Sequence, residues 1–509
     1  MPVARPTDGE LFEFGLRAVP SIYIDDLSEL RYLGEAILSS LDELELDIKP
    51  HRVPGREGVS IANEQFAGRS DDPLNAVVRW LSLQGEPHGP LSGIRVGVKD
   101  SMAVAGAPMT CGSAFLTDYV PSRSCTVVRR LLAAGATVIA ILNMDNFALS
   151  AGGETSAYGP TLNPFDSART AGGSSGGSAA ALHYDRFDLT FGTDQGGSVR
   201  VPASWCGVLG LKPTFGLVPY TGIASMDRSL DHVGPLARTV RELAAGLAAV
   251  AGPDGEDPRQ CDPEVADYVH HVEEAKPTLR GTRMAMIREG CGEAGNVDSL
   301  TQDAFLAAIE RFRSLGAVVD EVSIPEHLQA GAIGYGCLAE GLAATINSNG
   351  VGHHVEGHYD AEFAIAFARA LRERPDKLPV NVRAVTIIGN YLRNRYSGSV
   401  YAAAQNARPG LRRAYDRALE RYDFLVLPTT PYPAHLREPA ISPSERVLRG
   451  WRMLSNTSAF NLSGHPALSL PAAETVLPVG VMVVGRRYAE ADMLAMAASY
   501  EMTYGWLPK

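Results

Sequence analysis

The sequence predicts an α/β fold: one large mixed, mostly parallel β-sheet with helices on both faces. Three observations carry that expectation. Strand-like and helix-like segments alternate from about residue 90 onward, two of the alternations read as β–α–β units, and the late segments return to short apolar strands. A β–α–β unit implies parallel neighbours, because the crossover helix carries the chain back to the starting edge.

In chain order, "GIRVGVKD" has Ile94, Val96 and Val98 at period two, a strand, and "CTVVRRLLAAGA" is a helix ending at Gly135. "TVIAIL" closes the unit as a buried strand, "FDLTFGTD" is another, and "ARTVRELAAGLAAVAG" another helix. "RMAMIRE", "DSLTQDAFLAAIERFRSLGA" and "VVDEVSIP" repeat the β–α–β pattern. Residues 330 to about 423 read as a mainly helical insertion, after which "DFLVLPTTP", "ALSLPA" and "VGVMVVGR" resume the sheet. Residues 1 to about 70 form a separate helical preface that ends at "KPHRVPGREG", rich in proline and glycine; it reads equally as a cap on the main body or as a dimerisation arm.

The 509 residues are 45% hydrophobic and 20% charged, ordinary for a globular protein with a sizeable core. A net charge of −12 argues against non-specific binding to nucleic acid or to anionic membrane. The N-terminus lacks the apolar core of a signal peptide, and no apolar run nears the length of a membrane span. A cytoplasmic location follows as the default. Six scattered cysteines contain no C-x-x-C pair, so neither a zinc site nor a redox motif is indicated.

The chemistry concentrates in Ala171–Gly207, where "GGSSGGS" (172–178) and "GTDQGGSVRVP" (192–202) bring glycines and serines together. A P-loop reading fails because no lysine follows the glycines. Ser174 satisfies G-x-S-x-G, but the strand that should precede a nucleophile elbow is absent. His232, His354 and His465 could each serve as a base, yet nothing in their surroundings marks one. A flexible linker is disfavoured because both clusters run into helix starts, where free backbone N–H groups gather and an anion or oxyanion can sit.

Only six of the 46 basic residues are lysine, and one of these, Lys99, ends an apolar strand. Burial there would lower its pKa, and a neutral amine near pH 7 can act as a general base for a serine hydroxyl. Standing alone, Lys99 would read as the partner of Asp100 at a strand end.

Lys99, "GGSSGGS", "GTDQGGSVRVP", "CGVLGLKPT" (206–214) and "LPVGVMVVG" (477–485) together resemble the amidase signature family of serine hydrolases, from about residue 70 to 505. The resemblance implies Ser198 as nucleophile, Ser174, after a cis peptide bond, as bridging serine, and Lys99 as base. It implies an oxyanion hole from the backbone N–H groups around Gln195, Gly196 and Gly197 with that of Ser198. Asp194 and Arg200 would brace the loop, and Ser175 would hydrogen-bond within it. No metal and no cofactor is implied.

Gln195 in "DQGGS", "GLKPTFGLVPYTG" and "DHVGPLARTV" also resemble the nitrile-pathway amidases. That likeness implies a small-molecule substrate, a primary amide of an aromatic or branched aliphatic acid, and a homodimer. Alternatives are a carbamate, urea or aryl-amide hydrolase on the same scaffold, a glutamine-dependent tRNA amidotransferase of the A type, or a catalytically silent binding protein. Phe147, Tyr158, Trp451, Leu454 and Phe460 are candidates for the substrate pocket, with ordinary core packing an equal alternative for each.

Overall fold

The computed structural model describes residues 71–261, 263–353, 356–472 and 475–506, with a few positions between 6 and 39. The expected helical preface over residues 1–70 lies outside the described residues. The chain divides at Gly55, and everything below concerns the second unit, Arg56–Lys509.

Eleven strands form one sheet: β1 Val77–Leu83, β2 Arg95–Lys99, β3 Thr137–Leu142, β4 Leu189–Asp194, β5 Leu209–Lys212, β6 His232–Ala237, β7 Arg283–Ile287, β8 Val318–Val322, β9 Phe424–Pro428, β10 Ala467–Pro471 and β11 Gly480–Gly485. Their order is β1-β3-β2-β4-β6-β5-β10-β11-β9-β7-β8. β2, β4, β6, β9, β10 and β11 are buried or nearly so along their whole length, as strands covered on both faces must be. No described helix is long and apolar enough to cross a membrane.

The sheet is large and mixed as expected, but its share of parallel pairing is corrected. Four neighbouring pairs are parallel and six antiparallel. Both predicted β–α–β units are parallel, β2 with β3 and β7 with β8. The antiparallel middle has two sources. β5 and β6, "LGLK" and "HVGPLA", are short and carry glycine or proline, so period-two reading passes over them. β10 and β11 follow each other closely in the chain, and a short connection can only join antiparallel strands.

One parallel pairing positions the site. β2 runs beside β4 with Val98 opposite Phe191, so both strands end at one edge of the sheet. Lys99 is the last residue of β2 and Asp194 the last of β4. The helix Gly176–Ala181 packs close behind these strands because it is built only of Gly, Ser and Ala. Ser178 Oγ donates to Phe191 O at 3.1 Å, and Thr190 Oγ1 donates back to Ser178 O at 2.7 Å. Helices Ala330–Asn347, Ala361–Glu373, Val380–Tyr396 and Ser399–Leu419 occupy the stretch between β8 and β9.

Gly177 is the closest approach of that helix to the sheet. A Cβ there would stand 2.5 Å from Asn143 N and O, and closer still to Ala76 O. These are backbone atoms already engaged: Asn143 N donates to Ala76 O at 2.8 Å, and Gly177 N donates to Asn143 O at 3.0 Å. Gly177→Ala is therefore expected to lower stability by about 1–3 kcal/mol. A shifted chemical-denaturation midpoint checks it; an unchanged midpoint would show that the helix can move away freely.

Candidate active site

Lys99 is fully buried. Its Nζ is hydrogen-bonded to Ser174 Oγ at 2.7 Å and donates to Thr193 Oγ1 at 2.9 Å. Loss of hydration brings the Lys99 ammonium down to about 7, against the opposing pull of Asp145 and Asp194. Asp100, the obvious partner by sequence, turns elsewhere. Its carboxylate accepts from the Gly112 N–H at 2.8 Å, the Thr110 N–H at 3.1 Å and the Thr110 hydroxyl. Burial raises Asp100 to about 6.

Ser174 sits in the loop between β3 and β4, and the Gly173–Ser174 peptide bond is cis. The backbone around it is fixed by Asp145, whose N–H donates to Ser174 O at 3.1 Å. The Asp145 carboxylate is held by the N–H groups of Gly153 and Thr155 and by the Thr155 hydroxyl, each at 2.8 Å. The next residue joins the two glycine–serine loops. Ser175 N donates to Ser198 O at 3.2 Å, and Ser175 Oγ donates to Thr193 O at 3.2 Å.

Beyond β4 the chain turns sharply through Gln195, Gly196 and Gly197 to Ser198. Gly197 needs its glycine twice over. Its φ is +149°, and a Cβ would run into Thr457 Oγ1 and Leu454. Among the described residues, none offers an acceptor to the backbone N–H groups of Gln195, Gly196, Gly197 or Ser198. Four successive free donors beside a serine form a cradle for a developing oxyanion. The Gln195 side chain points to Tyr220, donating to its hydroxyl at 2.8 Å.

A buried ion pair holds this turn in place. Arg200 and Asp194 are bidentate, with Nε–Oδ2 at 3.0 Å and Nη2–Oδ1 at 2.9 Å. Asp194 Oδ2 also accepts from Val199 N at 3.0 Å, and Oδ1 from Asn461 Nδ2 at 2.9 Å. Burial alone would raise the Asp194 carboxyl, but the Arg200 charge and these hydrogen bonds hold it well below the usual range. Arg200 continues to Thr457 O at 2.9 Å and Asn461 Oδ1 at 2.7 Å, and the Thr457 hydroxyl donates to Gly196 O at 2.5 Å.

Ser198 opens onto a cavity of about 240 Å³. Its walls are largely apolar: Leu149, Met226, Leu230, Leu338, Leu454 and Leu462, with Tyr335 and Trp451 in edge contact at 5.7 Å. Of the five expected pocket residues, Trp451 and Leu454 line this cavity. The other three do not. Phe147 packs against Phe115 and Phe367, Tyr158 turns its hydroxyl to Thr110 at 3.0 Å, and Phe460 is core, against Tyr415 and His327. His232 and His465 also stay out of the cluster: His232 Nδ1 meets Leu230 O at 2.7 Å, and His465 Nε2 meets Asp416 at 3.0 Å. His354 lies outside the described residues.

Four residues without a sequence signal of their own hold the site together: Asp145, Thr193, Thr457 and Asn461. Thr193 sits inside the "GTDQGGS" motif, which places it within reach of a motif-based reading. Asp145 stands eight and ten residues before Gly153 and Thr155, whereas Thr457 and Asn461 stand 261 and 267 residues from Gly196 and Asp194, and only the fold brings them in.

A family model described as Amidase matches residues 75–494. The A-type chain of the glutamyl-tRNA(Gln) amidotransferase of Exiguobacterium sibiricum is 34% identical over 511 residues, 98% of this chain and 99% of its own length. The enantioselective amidase of Rhodococcus rhodochrous is 37% identical over 445 residues, 86% of this chain and 85% of its own. The crystal structure of the A-type chain of the Thermotoga maritima glutamyl-tRNA(Gln) amidotransferase has a TM-score of 0.70 at 31% identity, covering 84% of this chain and 87% of that one. With the buried lysine, both serine loops and a family match that spans most of its length, the chain belongs to the amidase family and is an enzyme of the amide-hydrolysing type.

Proposed function

We propose that this enzyme hydrolyses carboxylic amides, primary amides of aromatic or branched aliphatic acids, to carboxylate and ammonia through an acyl-Ser198 intermediate. The single observation that carries the reading is the buried Lys99 amine, 2.7 Å from Ser174 Oγ, in the loop whose next residue is bonded to the backbone of Ser198. The apolar walls of the cavity at Ser198 support an aromatic or branched aliphatic acyl group. A homodimer is the assembly we propose, by likeness to the nitrile-pathway amidases.

Neutral Lys99 takes the Ser174 proton as Ser174 takes that of Ser198, and Ser198 Oγ bonds to the amide carbon. The carbonyl π electrons move to oxygen, and the oxyanion is held by the N–H groups of residues 195–198. Collapse breaks the C–N bond while Ser174 protonates the departing nitrogen, since an unprotonated amine leaves poorly. Water, deprotonated by the same relay, then releases the acid and restores Ser198. The Asp194–Arg200 pair positions this cradle without touching the substrate, and the absent Cβ of Gly197 lets the turn close against Thr457 and Leu454.

A second reading, one chain of a glutamine-dependent amidotransferase, is favoured by the near full-length match to the Exiguobacterium protein. Release of ammonia from benzamide by the purified chain, with neither tRNA nor a partner protein, decides for the first reading; inertness without them decides for the second.

Lys99→Ala and Ser198→Ala are each expected to abolish turnover with the fold retained, and mass spectrometry of the wild type should find the acyl group on Ser198. Near-native rates in Lys99→Ala at pH 7 would remove the relay. The Lys99 ammonium cannot accept a proton, and its pKa is about 7. The rate should therefore fall as pH drops through about 7 and level off above it, and a pH–kcat/KM profile flat from 5 to 8 would contradict the assignment. Asp194→Ala leaves the Arg200 charge buried and unpaired, which should cost about 3–5 kcal/mol in a denaturation experiment.

A further inference from the structure

The cavity at Ser198 has one charged residue among the described residues that line it, Arg452. Arg452 ends the helix Pro443–Arg452 and is exposed. The other two arginines of its last two turns are engaged. Arg446 donates to Pro439 O at 2.8 Å, and Arg449 is paired with Glu154 at 2.6 Å and Glu438 at 2.7 Å. Among the described residues, Arg452 has no hydrogen-bond, ion-pair or aromatic partner. Ser455 and Ser458, the next hydroxyls along the chain, line the same cavity.

We propose that Arg452 selects amides whose acyl group carries a carboxylate at the end remote from the scissile bond. This rests on the amide-hydrolase reading above and specifies its substrate. A guanidinium matches a carboxylate with two parallel N–H···O bonds, a fit that an ammonium or a neutral group does not reproduce. The protein as a whole carries a net charge of −12, which disfavours the approach of anions. An unpaired cation at a cavity that is otherwise uncharged offsets that field at this one place. The acyl body then lies along Leu149, Leu230, Leu338 and Trp451, with the reacting carbonyl at Ser198 and the carboxylate at Arg452.

The test compares the monoamides of succinic, glutaric and adipic acids with the branched aliphatic amides in which an isopropyl group replaces the carboxylate. In the wild type, the best-fitting carboxylate should be favoured about three- to tenfold in kcat/KM, mostly through KM, because Arg452 is exposed and the pair is partly screened. The preference should shrink as salt rises. Arg452→Leu should bring the ratio to about one, and Arg452→Lys should keep part of it. Equal rates for both series in the wild type, or a preference that survives Arg452→Leu, overturns the proposal while hydrolysis of the neutral amides upholds the parent reading. Hydrolysis of neither series, with benzamide inert as well, overturns both; with benzamide hydrolysed it overturns the proposal alone.

Discussion

The amine of Lys99 is taken out of water at the end of a central strand without a carboxylate bonded to it, and much of the surrounding structure follows from that. Two carboxylates act on it, Asp145 and Asp194, and both, like that of Asp100 beside it in the chain, are committed elsewhere. Asp100 is tied to Thr110 and Gly112, Asp145 to Gly153 and Thr155, and Asp194 to Arg200 and Asn461. A carboxylate bonded directly to Nζ would stabilise the ammonium and return its pKa toward that of free lysine. With no carboxylate near at all, burial would press it far lower. Carboxylates that are close but occupied place it at about 7. An amine with that pKa is largely neutral in slightly alkaline solution, the state in which it can accept a proton.

The same commitments shape the backbone. Asp145 gathers Gly153 and Thr155 while its own N–H holds Ser174 O, so one residue contributes both to the field at Lys99 and to the position of Ser174. Asp194 does the equivalent for the second loop. Its carboxylate holds the Val199 N–H just beyond Ser198, and its pairing with Arg200 extends through Thr457 and Asn461 to the helix Ser458–Ser463. A buried pair of this kind adds little net stability against an apolar replacement. Its effect lies in geometry: it fixes a turn whose own N–H groups are left unpaired.

Much of this is legible in the sequence, for physical reasons that vary by element. β2, β3, β4 and the helix Thr126–Ala133 carry regular apolar periods, and crossover geometry dictates the parallel pairing of β2 with β3. Lys99 stands out because lysine is rare here and this one ends an apolar strand, whereas Ser174 and Ser198 are singled out among the loop serines by the resemblance to the amidase signature family. β5 and β6 are not legible, since four or six residues with glycine or proline show no period. Thr457 and Asn461 are not either: a hydrogen bond that spans more than two hundred residues, such as Asn461 to Asp194, leaves no local pattern.

The cavity walls show the same limit more sharply. Leu149 comes from the turn after β3, Met226 and Leu230 from the loop before β6, Tyr335 and Leu338 from the helix Ala330–Asn347, Trp451 from the end of the helix Pro443–Arg452, and Leu454 from just before the helix Ser458–Ser463. Each is an unremarkable apolar residue in its own segment, and aromatic character alone does not distinguish Trp451, in the wall, from Phe460, in the core. Lys99, Ser174 and Ser198, by contrast, stand on strand ends and tight turns whose backbone the sheet determines. The catalytic cluster can therefore persist while the insertion and loops around it are exchanged. The cavity is lined by residues with few constraints of their own, which is why family membership reads clearly from such a chain and the cavity's lining does not.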